Sequence, residues 1–83
     1  MIESGTQYAR WLKSIANFHR EKDILFTAEN DDLFAWYAWY LAEINYCEFL
    51  KYVRKHEDQL TPARKALCAK VFRQVRAEGG LLV

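Results

Sequence analysis

The chain has 83 residues, a net charge of +1, 52% hydrophobic residues, three Gly and a single Pro. That composition argues against disorder and against a turn-rich β fold, and the length points to one domain, residues 1–83, with a small core and little stability to spare. No apolar run reaches the ~18 residues of a membrane span. Met1-Ile2-Glu3-Ser4 lacks the basic start of a secretory signal, and two cysteines do not make a disulfide framework, so the expected setting is reducing and cytoplasmic.

The near-neutral charge conceals an asymmetry. Residues 21–48 carry seven acids (Glu21, Asp23, Glu29, Asp31, Asp32, Glu43, Glu48) against Lys22 alone. Residues 61–83 carry five bases (Arg64, Lys65, Lys70, Arg73, Arg76) against Glu78 alone. The two regions are expected to neutralise each other, within the fold or across a self-association. The sharper alternative is a basic face kept for an acidic partner.

The first predicted helix covers about 5–21. Ser4 and Gln7 have capping-box spacing, and Tyr8, Trp11, Leu12, Ile15, Phe18 and His19 recur at three- and four-residue steps as one face to bury. Ile24-Leu25-Phe26 is too short to assign and is expected to fold over the bundle end as an anchored loop, with Phe26 tucked in. The second predicted helix, 31–57, has Thr27, Asn30 and Asp31 as candidate N-caps and an acidic start that suits the helix dipole. Its first half holds Leu33-Phe34-Ala35-Trp36-Tyr37-Ala38-Trp39-Tyr40-Leu41, free of Gly, Pro and charge. Two apolar stripes separate there. One holds Ala35, Trp39, Ala42, Tyr46, Phe49, Leu50 and Val53; the other holds Leu33, Trp36, Tyr37, Tyr40, Ile44 and Cys47. The third predicted helix, 62–78, follows Thr61 as N-cap with Pro62 at its first position, and presents Leu67, Cys68, Val71, Phe72 and Val75. Gly79-Gly80 is expected to end it, with Leu81-Leu82-Val83 as an apolar tail. The fold expected is therefore an all-α three-helix bundle around a long aromatic-rich central helix.

Sites for chemistry are sparse. His19, His56, Cys47 and Cys68 fall in no zinc or di-metal spacing, and the two cysteines lie on apolar stripes as small buried thiols. His19 sits at the core edge, and His56 suits a helix C-terminus. There is no Gly-rich phosphate loop and no pair of carboxylates placed for acid–base work. Glu43 and Asn45 lie in the most apolar stretch and each needs a partner if buried, for which Arg73, Arg76 or a second chain are candidates. No enzyme activity, cofactor or metal is expected.

The apolar faces outnumber the helices available to cover them. Large aromatics bury about 150–250 Å² each, and Trp36, Tyr37, Trp39 and Tyr40 point four ways. An excess of this kind marks a protein-binding surface, here Leu33, Trp36, Tyr37, Tyr40 and Ile44. The function expected is that of a small non-enzymatic regulator, an inhibitor or adaptor that occupies a surface on a larger protein and itself forms a homodimer. Small regulators encoded by phages and mobile elements have this size and character, an analogy of scale. The alternative is a nucleic-acid-binding helical regulator using Lys65, Lys70, Arg73 and Arg76, whose outward face also carries Ala66 and Ala69. The modest net charge weighs against it.

Overall fold

A computed structural model describes the backbone of residues 2–77 and the side chains from Tyr8 onward. The Gly79-Gly80 cap and the Leu81-Leu82-Val83 tail lie outside the described residues. The fold is all-α. Helices α1 (Ile2–Glu21), α2 (Asp31–Ile44), α3 (Tyr46–Lys55) and α4 (Pro62–Ala77) are joined by 3-10 turns at Lys22–Ile24 and Glu57–Gln59. None is long and apolar enough to cross a membrane among the described residues.

The expected central helix over 31–57 is two helices, and the bundle accordingly has four. Asn45 makes the break. Its backbone is extended (φ −159°, ψ 96°), so it leaves the helical path between α2 and α3. Its N–H donates to Leu41 O at 3.1 Å and closes α2. Its carbonyl accepts from Phe49 N at 2.9 Å, and its side-chain Oδ1 accepts from Glu48 N at 3.1 Å, which opens α3. The residue is buried, with 1% of its surface exposed. Its partner is thus the helix it starts, not Arg73, Arg76 or a second chain. A buried helix end needs such a partner, and Asn supplies it because its short amide competes well with the backbone.

The buried face of α2 also differs from the expected stripes. Phe34, Ala38, Leu41 and Ala42 are fully buried, whereas Ala35, Trp39, Tyr37 and Tyr40 are half-buried. Small residues in the middle of the face let neighbouring helices approach, and the bulky rings are displaced to its flanks. The same line continues through Asn45 to Phe49, Tyr52 and Val53 of α3. In α4 the expected stripe holds: Cys68, Val71 and Val75 are buried, with Leu67 and Phe72 packed against the core.

Helix α1 begins at Ile2, which leaves Ser4 inside the helix and not at its cap. Among the described residues, the apolar face of α1 is covered only at its C-terminal end. Phe18 is buried, while Tyr8, Trp11 and Leu12 are 61%, 45% and 45% exposed. At 1.5 Å per residue this helix is ~30 Å long and outreaches the shorter helices beside it. The following connection is anchored as expected, but by Leu25, which is completely buried; Phe26 is half-buried.

The remaining caps follow the sequence. Asn30 is the cap chosen for α2, accepting from Leu33 N at 2.8 Å. Thr61 Oγ1 accepts from Arg64 N at 3.2 Å, and Pro62 is the first residue of α4. Arg64 then ties the two helix starts together. Its guanidinium donates to Asp31 Oδ1 at 3.0 Å and to Ala28 O at 3.3 Å, and lies over the Phe34 ring at 4.7 Å.

Asn45→Ala removes the cap of a buried helix end and is expected to lower unfolding stability by about 1–2 kcal/mol, with Asn45→Asp losing less because the carboxylate still accepts from Glu48 N. Urea unfolding of the three proteins checks this; equal stability of Asn45→Ala and the parent contradicts it.

Candidate functional site

The aromatic residues of α2 divide into an inward and an outward set. Phe34 faces the core and supports Arg64. Two residues later, Trp36 is 63% exposed, the most exposed large hydrophobic residue of the described side chains, and Leu33 is 37% exposed. Trp36 stacks on Tyr40 with centroids 5.7 Å apart and planes 12° from parallel, and meets Tyr37 edge-on at 5.7 Å. Tyr37, Tyr40 and Ile44 are half-buried and pack against the core. Leu33, Trp36, Tyr37, Tyr40 and Ile44 therefore lie on one side of α2, with the Trp36 ring touching both tyrosine rings.

Two further residues join them. Trp36, Trp39, Tyr40 and Glu43 line an open groove of about 300 Å³. Trp36 lies three and four residues from Trp39 and Tyr40, and Glu43 four and three residues from them, the spacing of neighbours on a helix surface. Trp39 belongs by sequence to the other stripe, and Glu43 was a candidate for burial. Instead Glu43 is exposed and is the one charged group of an aromatic groove.

The basic residues of α4 lie elsewhere. Lys65, Lys70, Arg73 and Arg76 are all exposed, along with Ala66 and Ala69. Lys65 is 4.0 Å from Glu57. Lys70, Arg73 and Arg76 form no ion pair with a described residue. Within the described chain, the acidic stretch 21–48 and the basic stretch 61–77 meet in one ion pair, Arg64–Asp31. The expected neutralisation inside the fold is thus confined to that contact.

A second cluster was not foreseen. Tyr52 of α3 meets Phe18, Phe26 and His56 edge-on, at 5.7, 5.4 and 4.9 Å. Around it a shallow cleft is lined by His19, Lys22, Lys51, Lys55, His56 and Glu48. Its cations collect where α1 and α3 end, which the helix dipole favours, and Lys51 is 3.9 Å from Glu48. The signal available in sequence was the basic end of each helix, but only packing brings the two ends together. Cys68 is a buried thiol as expected, whereas Cys47 is exposed. No group of three or more His, Cys, Asp or Glu able to hold a metal occurs among the described residues.

The chain matches no known protein family, no curated protein and no solved structure.

Phe34 and Trp36 differ in what they support. Phe34→Ala is expected to cost about 3–5 kcal/mol of stability and Trp36→Ala less than about 1 kcal/mol. Thermal or urea unfolding measures both; a comparable loss for the two would return Trp36 to the core.

Burial also sets the response to alkali. It pushes the Cys68 thiol from 9.0 up to about 11. Burial, helped by the charge of Asp23, pushes the Tyr52 phenol from 10.0 up to about 12. The folded chain therefore holds both protons after the unfolded chain has released them. The stabilisation is complete below about pH 9 and is lost as pH rises towards about 12. The urea midpoint should decline over that window, and Cys68→Ala should flatten its lower part. A midpoint unchanged from pH 8 to pH 11 contradicts this.

Proposed function

We propose that this chain is a small, non-enzymatic protein-binding regulator, an adaptor or inhibitor acting through the aromatic face of α2, and that it self-associates. The observation that carries the reading is the position of Trp36. It stands 63% exposed on the outward side of α2, in contact with the rings of Tyr37 and Tyr40 and with Leu33 also exposed three residues before it. Burying an indole is worth a few kcal/mol, and leaving one in water on a chain with a core this small forfeits that stabilisation. Trp and Tyr are the residues most often found at the energetic centre of interfaces, because they bring large area at little conformational cost.

The groove of Trp36, Trp39, Tyr40 and Glu43 adds a polar feature that would orient a partner. The exposed Tyr8, Trp11 and Leu12 of α1 enlarge the apolar surface available for binding. Nucleic-acid binding through Lys65, Lys70, Arg73 and Arg76 is the weaker reading, because a net charge of +1 supplies little of the long-range attraction to phosphates on which such binding relies.

Light scattering of the purified protein should give about twice the chain mass of 9.9 kDa. Tyr40→Ala should reduce that mass at a given concentration while circular dichroism stays helical. A strict monomer at high concentration removes self-association from the reading.

A further inference from the structure

The pattern along the outward side of α2 restricts what can cover it. Asp32, Trp36, Trp39 and Glu43 follow at steps of four, three and four residues, so they form one line on the helix. Asp32, Trp36 and Glu43 are exposed and Trp39 is half-buried. The line is aromatic in the middle and acidic at both ends. Two copies of α2 laid face to face in antiparallel sense set Asp32 against the partner's Glu43. In parallel sense each acid meets its own copy. Both arrangements bring like charges together around a desolvated centre, which costs affinity. The occupant that suits this face is basic.

Helix α4 has the complementary line. Ala66, Ala69, Arg73 and Ala77 follow at steps of three, four and four residues, all exposed, with Lys70 and Arg76 beside them. The alanines leave room for bulky rings, and the bases find no acid among the described residues. The fold already contains this chemistry once. Where α4 meets α2 inside the chain, the Arg64 guanidinium lies 4.7 Å from the centre of the Phe34 ring and 3.0 Å from the Asp31 carboxylate. An arginine, an aromatic ring and an acid make that contact. Arg73 of α4, with Trp36 and Glu43 of α2, provides the same three groups on the outside.

We infer that the aromatic face of α2 is covered by the outward face of α4 from a second copy of this chain, with Arg73 set over the indole of Trp36 and against Glu43. Indole is the most favourable ring for a cation and arginine the cation most often found over one, and the carboxylate fixes its direction. The inference rests on reading the aromatic face as a protein-binding surface and names what binds there. Because the two faces are different surfaces, a lesion in one is complemented by a copy that keeps the other intact.

Mixing separates the possibilities. Trp36→Ala damages the α2 face and Arg73→Glu damages the α4 face; both residues are exposed, so both variants should remain helical by circular dichroism. Each alone should weaken self-association by about tenfold or more. A one-to-one mixture should recover part of the association, because a two-fold dimer makes this contact twice and the mixed dimer keeps one of the two intact, the α2 face of the Arg73→Glu protein meeting the α4 face of the Trp36→Ala protein. Glu43→Arg provides a second α2-side lesion, and combining it with Arg73→Glu in one chain should restore part of what either loses. Parent association should also weaken as salt is raised. If Trp36→Ala weakens association while Arg73→Glu does not, the protein-binding role of the aromatic face stands and α4 is not its occupant. A mixture that stays dissociated, or a parent protein monomeric at every concentration, also overturns the inference.

Discussion

The arrangement of this protein depends on the amide side chain of Asn45. Asn45 ends α2 and begins α3 with a single extended residue, and its side chain satisfies one of the backbone donors that the break exposes. The break is buried, so water cannot do that work, and an apolar residue there would leave a polar atom unmatched in the core. The cost of interrupting a helix is offset by what the redirected chain covers. In α3, Phe49 packs on Phe72 of α4 at 5.5 Å, while Tyr52 packs on Phe18 of α1 and Phe26 of the connection. One short helix thereby closes the core against both outer helices.

Arg64 performs a related task at the other end of α2. Pro62 and Thr61 fix where α4 begins, and this fixes where Arg64 stands on its first turn. From there it reaches Asp31, Ala28 and the face of Phe34. A half-buried guanidinium with two acceptors and a ring below it is held far more firmly than an exposed ion pair, which is worth little by itself. The starts of α2 and α4 are thus joined, and packing between these two helices is the most extensive in the fold.

Much of this was legible in the sequence, and what was not has identifiable causes. The all-α class, the Thr61–Pro62 start and the core face of α4 follow from caps and periodicity. The helix break was invisible because nothing around Asn45 is a strong breaker; Asn sits in helices at small cost, and only its burial makes it a cap. The buried face of α2 was misread for a related reason. The line Phe34, Ala38, Leu41, Asn45, Phe49, Tyr52 has steps of four, three, four, four and three, a good helical face. Two of its members are small or polar, so the bulkier Trp and Tyr rows on either side looked more like a core. Packing inverts that weighting, since helices approach through small residues. Of the five residues expected to form an uncovered surface, Leu33 and Trp36 are exposed, whereas Tyr37, Tyr40 and Ile44 are half-buried and pack against the core. Trp39 and Glu43 join Trp36 and Tyr40 because a groove on a helix surface spans residues from adjacent stripes.

The two misread features bear on one another. With Ala38 and Ala42 taking the centre of the buried face, α2 sits close to its neighbours and leaves no space inside for its largest rings. Trp36 lies about 200° round the helix from Phe34, so it faces solvent while the small residues face the core. Exchanging Trp36 for a polar residue is expected to leave that core intact, since Phe34, Leu41 and Val71 are completely buried on the opposite side of the helix or beyond it. An indole exposed in this way is the feature on which the proposed protein-binding surface rests.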